Sequence, residues 1–113
     1  MKLVIAYIKP DKLGVVKQAL YDNSIKRFSV SDVYGHSDED GIAESYRGIE
    51  IQVDLINKIK IEIALNDEFV EVAVNAILEA GKSGQLGDGK IFVLPIEQAY
   101  RIRSRQSGKD AIG

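Results

Sequence analysis

The side chains whose types and spacing could do chemistry lie in a glycine-rich run that ends in a lysine, Gly84-Gln85-Leu86-Gly87-Asp88-Gly89-Lys90. Glycine admits positive φ, so such a loop can turn several backbone N–H groups toward one anion, and a terminal lysine adds a full positive charge. Phosphate is the anion that suits this cradle. The string matches the first part of the P-loop pattern, but Ile91 stands where a Mg²⁺-binding Ser or Thr is required. The loop also runs into Ile91-Phe92-Val93-Leu94-Pro95-Ile96, which reads as a strand and not a helix. Without a helix N-terminus, other cations have to complete the site. Arg101-Ile102-Arg103-Ser104-Arg105 supplies them, and its alternate arginines share one face if the segment is extended. Spacing alone fits equally well a tight helix-to-strand turn followed by a solvated basic tail.

The elements that must position these groups belong to a chain of 113 residues, the length of one domain with a modest core. Its 45% hydrophobic and 28% charged residues are ordinary for a globular protein and argue against disorder. A net charge of −2 argues against a general nucleic-acid binder, so any anion site must be local. No apolar run reaches membrane-spanning length, and Met1-Lys2 leads into a strand-like segment with no cleavage site. With no cysteine, disulfides and thiolate metal sites are excluded. A cytoplasmic protein without direct membrane insertion is the expectation.

Leu3 to Ile8 is apolar on both alternating faces and reads as a central strand covered on both sides. Pro10-Asp11 suits a helix start, with Leu13, Val16, Ala19 and Leu20 at helical spacing up to Asp22-Asn23. Phe28 to Val33 reads as a second strand whose alternation slips near Asp32, where a bulge would account for it. From Gly35 to about Asp54 no helical stripe is found, although Ile49, Ile51 and Val53 alternate and could extend a strand. A loop of that length is uncommon in so small a domain and points to function. Lys58 to Leu65 alternates almost without fault. Asn66-Asp67 then caps a helix whose inward face is Phe69, Val70, Ala73, Val74, Ile77 and Ala80, with Gly81 as its stop. Lys90 to Leu94 is the fourth strand. The order βαββαβ is an α+β, ferredoxin-like arrangement, a four-stranded antiparallel sheet with both helices on one face. Its other face is left bare yet apolar at the first strand, which implies self-association.

These residues resemble the PII nitrogen-regulatory signal transduction proteins along nearly the whole chain. The resemblance rests on Ile8-Lys9-Pro10 through Leu13, on Glu44 to Glu50 with Tyr46-Arg47-Gly48, and on Lys58 to Ile63. It rests also on Gly84 to Val93 with Arg101-Ile102-Arg103. It implies one domain over 1–113, a homotrimer that binds ATP or ADP, with Mg²⁺ possible, in the clefts between subunits. It further implies a protruding T-loop, here about 35–54, that touches target proteins, and a C-terminal basic tail at about 97–113. By the same resemblance Lys90, Arg101 and Arg103, with the backbone of Gly87-Asp88-Gly89, hold phosphates. Ser29, Glu62 and the backbone of Ala64 meet the ribose and adenine, and Gly35, His36 and Ser37 root the loop beside the nucleotide. The expected function is therefore a regulator and not an enzyme, acting on a transporter or a metabolic enzyme.

The loop departs from that family. Ser37-Asp38-Glu39-Asp40 replaces a glycine, arginine, glutamine, lysine run, and Glu39 stands where the family's glutamine completes a Mg²⁺-ATP site for 2-oxoglutarate. Carboxylates there repel a dianion, which argues against 2-oxoglutarate sensing, although Lys58 of that effector pocket is retained. Ile51 and Ile49 occupy the positions of the modified tyrosine and serine, and neither can accept phosphate. Gly41 and Gly48 are candidate pivots, and the acidic cluster suits a basic partner surface. Two other readings remain open. His36, Asp38 and Asp40 could hold a divalent metal in a metal-binding trimer, although a solvated acidic loop accounts for them as well. Asp88 or Glu39 could act as the base of a slow ATP hydrolase, although no carboxylate has a clear orienting partner in the sequence. A calcium loop fails on spacing, and the aromatic pattern of an RNA-recognition module is missing.

Overall fold

A computed structural model describes residues 1–36, 42–46, 49–53 and 55–113. The strands are β1 (Lys2–Ile8), β2 (Ser29–His36), β3 (Ile42–Tyr46), β4 (Ile49–Val53), β5 (Leu55–Leu65) and β6 (Lys90–Pro95). The helices are α1 (Leu13–Asp22) and α2 (Asp67–Gly81). Four strands form one antiparallel sheet in the order β2-β5-β1-β6, and β3 pairs with β4 in a separate two-stranded sheet. The βαββαβ frame is therefore present, with a hairpin set between β2 and β5. Ile49, Ile51 and Val53 do not extend a neighbouring strand; they belong to β4, whose partner is β3.

Alternation explains which way each strand faces. Val4, Ala6 and Ile8 of β1 and Ile59, Ile61, Ile63 and Leu65 of β5 are buried on one side, against Val16 and Leu20 of α1 and Ala73 and Ile77 of α2. Each of the Val, Ile and Leu side chains among them contributes about 1.5–3 kcal/mol by leaving water. The opposite face carries Leu3, Ile5 and Tyr7 of β1, only partly buried, so within the single chain the central strand is covered on one side. Tyr7 meets Phe92 edge to face at 6.2 Å, and Phe92 and Leu94 remain 49% and 42% exposed.

Several boundaries differ from the sequence expectation. Strand β2 pairs with β5 residue for residue from Ser29↔Glu62 to His36↔Leu55, so there is no bulge at Asp32. As an edge strand exposed along most of its length, β2 tolerates a polar residue on either face, and the slipped alternation needs no extra residue. Strand β5 begins at Leu55, earlier than Lys58, because β2 continues to His36 and pairs with it. Pro10–Lys12 forms a 3₁₀ turn ahead of α1. Asn66 occupies the cap position of α2 without a capping hydrogen bond; its amide donates to the Lys109 carbonyl at 3.2 Å. Phe69, in the first turn of α2, is 46% exposed and not part of the core.

Candidate functional site

The glycine loop leaves the end of α2 and enters β6 through a network centred on Asp88. The Asp88 carboxylate accepts the N–H groups of Ser83 at 2.9 Å and Gly84 at 3.1 Å, and the Ser83 hydroxyl. Lys9 Nζ lies 3.5 Å from the carboxylate and donates to Ser83 Oγ at 3.2 Å. The Ser83 hydroxyl, followed by the backbone N–H groups and Lys9, holds the Asp88 carboxyl well below the usual carboxylate range. Asp88 does have orienting partners, contrary to expectation. They stabilise its ionised form, which makes it a poor general base and a good loop anchor. Gly84, Gly87 and Gly89 have φ of +83°, +87° and +103°. At Gly89 a Cβ would sit 1.7 Å from the Tyr7 carbonyl oxygen, so no other residue fits.

Lys58 also serves this loop. It lies one residue beyond the Ile8↔Ile59 pair and donates to the Gly87 carbonyl. Among the described residues its ammonium is therefore on the loop backbone. Glu39, the other member of the expected effector pocket, lies outside the described residues, as do Ser37, Asp38 and Asp40. Gly35 and His36 close β2 opposite Ile56 and Leu55. Among the described residues there is no group of three metal-ligating side chains, and the metal reading depends on Asp38 and Asp40 outside them.

The second group of expected residues gathers at the β2 side of the sheet. Ser29, Glu62, Ala64, Arg101 and Arg103 line one open cleft of about 660 Å³. Ser29 stands opposite Glu62 in register, and Ala64 follows on the same face of β5. Glu62 lies 3.5 Å from Lys60. The arginine segment is not extended. Arg101 N–H donates to the Gln106 carbonyl and Arg105 N–H to the Arg101 carbonyl, both at 2.8 Å, while Tyr100 bridges Ser107. This turn, closed by Arg105 at φ +63°, brings Arg101 and Arg103 to the cleft without Arg105. Lys26, Arg27 and Phe28 line the cleft too and were missed. A dibasic pair immediately before a strand, in an acidic chain, was the available signal.

Within one chain the two groups do not meet. Lys90 lies opposite Tyr7, Tyr7 opposite Lys60, and Lys60 opposite Ser31. The row from β6 to β2 spans three strand spacings, roughly 14 Å. Gly89 and Lys90 line a different cavity, of about 370 Å³, beside α2. One chain thus presents a cationic glycine loop at its β6 edge and an arginine-lined cleft at its β2 edge.

The sequence profile described as Nitrogen regulatory protein P-II matches residues 1–106. Nitrogen regulatory protein P-II of Rhodobacter capsulatus is 49% identical over 112 residues, covering 99% of this chain and all of the relative. That of Azospirillum brasilense is 46% identical over the same coverage. Nitrogen regulatory protein GlnK1 of Methanosarcina mazei is 46% identical, covering 99% of this chain and 97% of the relative. The chain belongs to the nitrogen regulatory protein P-II family, a family of signalling regulators and not of enzymes.

Proposed function

We propose that this chain works as a homotrimer that binds ATP or ADP between subunits and controls a target protein through the segment joining β2 to β5. The observation that carries this reading is the separation of the two half-sites on opposite edges of one sheet. A neighbouring copy that brings its β6 edge to the β2 edge completes each cleft, and three copies close a ring. The partly exposed apolar residues Leu3, Ile5, Phe92 and Leu94, on the face away from the helices, suit burial in such an assembly. In the completed cleft Lys90, Arg101 and Arg103 take the phosphates with the N–H groups of Gly87 to Gly89. Ser29, Glu62 and the Ala64 backbone take the nucleoside, and Mg²⁺ accompanies ATP. Charged hydrogen bonds of this kind are stronger than neutral ones.

The β2–β5 pair ends at His36↔Leu55, directly where the loop begins. A nucleotide that binds one loop arrangement better than another shifts the loop by that difference in affinity and by no more. The output is docking on a transporter or a metabolic enzyme. Glu39 and its acidic neighbours disfavour 2-oxoglutarate as a co-effector.

Calorimetric titration with ATP and ADP, each with and without Mg²⁺ and 2-oxoglutarate, tests the reading. Saturable binding that disappears in a Lys90→Ala, Arg103→Ala protein, with no response to 2-oxoglutarate, is expected. No nucleotide binding would remove the proposal, and a clear 2-oxoglutarate response would refute the argument from Glu39.

A further inference from the structure

Two guanidinium groups converge on one oxygen in the β2-side cleft. Arg27 donates from Nη1 to the main-chain oxygen of Gly113, and Arg101 donates from Nη2 to the same oxygen at 3.0 Å. Among the described residues neither side chain has a second acceptor or an ion pair with an Asp or Glu, and the oxygen they share belongs to the last residue of the sequence. Like charges brought together this closely repel each other, so the shared oxygen, or an anion that replaces it, is what holds the pair together. Glu62, the acid on the cleft wall, is turned to Lys60. Lys26 and Arg103 line the same cleft, so its wall is strongly cationic. The shared Gly113 oxygen uses one point of this pair, whereas a phosphate presents several oxygens and more charge to the remaining N–H donors.

We infer that Arg27 is an anion-binding residue of this cleft: with Arg101 it takes a phosphate oxygen of the bound nucleotide, displacing the Gly113 oxygen from between them. The inference rests on the nucleotide reading above and adds to it a cation that precedes β2. It also makes the Ile112–Gly113 segment, which lines the cleft, an internal competitor for the ligand. Arg27 is exposed, so its replacement leaves the core intact.

The test is calorimetry on the full chain and on Arg27→Ala and Arg27→Lys, with ATP, inorganic pyrophosphate and phosphate-free adenosine as probes. Arg27→Ala is expected to weaken ATP and pyrophosphate about tenfold, a typical loss for one charge-assisted contact, and to leave adenosine unchanged. Arg27→Lys should recover part of the loss. Equal weakening of ATP and adenosine would mean that Arg27 only shapes the cleft. Unchanged or tighter ATP binding would mean that it only holds the Gly113 segment; either result overturns the inference. If the unaltered chain binds no ATP, the nucleotide reading fails by itself, and pyrophosphate then decides Arg27. Pyrophosphate binding lost in Arg27→Ala keeps its anion role, and binding that is absent or unaltered by the substitution removes it.

Discussion

Asp88 shows how a charged side chain beside a phosphate-type loop can serve the loop and not the chemistry. Its partners Ser83, Gly84 and Lys9 favour the ionised form, so its folded-state pKa lies below the unfolded value of about 3.9. A carboxylate depressed in this way stabilises the fold at every pH above the unfolded value. That contribution is lost as pH falls through the lower folded value. The loop should therefore hold its geometry from about pH 5 upward and loosen only in stronger acid. A carboxyl ¹³C NMR titration should place the Asp88 midpoint below the ordinary range. Ser83→Ala, which removes the largest cause of the shift, should move it up toward that range. A midpoint at or above the ordinary value in the unaltered protein would contradict the network. At Gly89 the constraint is steric, since the Tyr7 carbonyl already occupies the space of a Cβ and φ is +103°. Gly89→Ala should cost at least about 2 kcal/mol in chemical denaturation, from positive-φ strain and overpacking together.

Strand β5 joins core and site on one element. Ile59, Ile61 and Ile63 point into the helices, while Lys58, Lys60 and Glu62 alternate onto the other face, toward the loop and the cleft. A shift of one residue would exchange the two sets, so the burial that fixes the register also places Glu62 opposite Ser29. Ile61 is fully buried, and Ile61→Ala should destabilise the fold by about 2–5 kcal/mol, measured as a lower denaturation midpoint at an unchanged slope. The edge strands play a different part. β2 and β6 have one neighbour each in the sheet, and Ser29 and Lys90 of the proposed site lie on these edges, where a second chain can reach them.

At the scale of the whole molecule, the proposed site requires Lys90 from one subunit and Arg103 from the next. Lys90→Ala and Arg103→Ala chains, each unable to bind ATP alone, should regain binding when unfolded together and refolded in equal amounts. Random assembly places both native residues at about a quarter of the clefts, and calorimetric stoichiometry should show that fraction. No recovery from folded mixed trimers would mean that each site lies within one chain. Among the described residues no helix is long and apolar enough to cross a membrane.

The sequence by itself determined the βαββαβ frame, the alternation of β5 and the helical stripe at Ala73 and Ile77. These follow from periodicity and from residue type, both of which are local. It also contained the family signature, because Gly84 to Val93 and Arg101 to Arg103 are contiguous strings. Tertiary structure decided the rest. It brought Lys9 to Ser83, 74 residues away, and Lys58 to Gly87, 29 residues away. It turned the arginine segment back on itself, and it brought Arg27 onto an oxygen 86 residues away. Strand order then placed the loop and the arginines on opposite edges of the sheet. Contacts between distant segments depend on how the sheet and helices pack, and no local spacing encodes that arrangement.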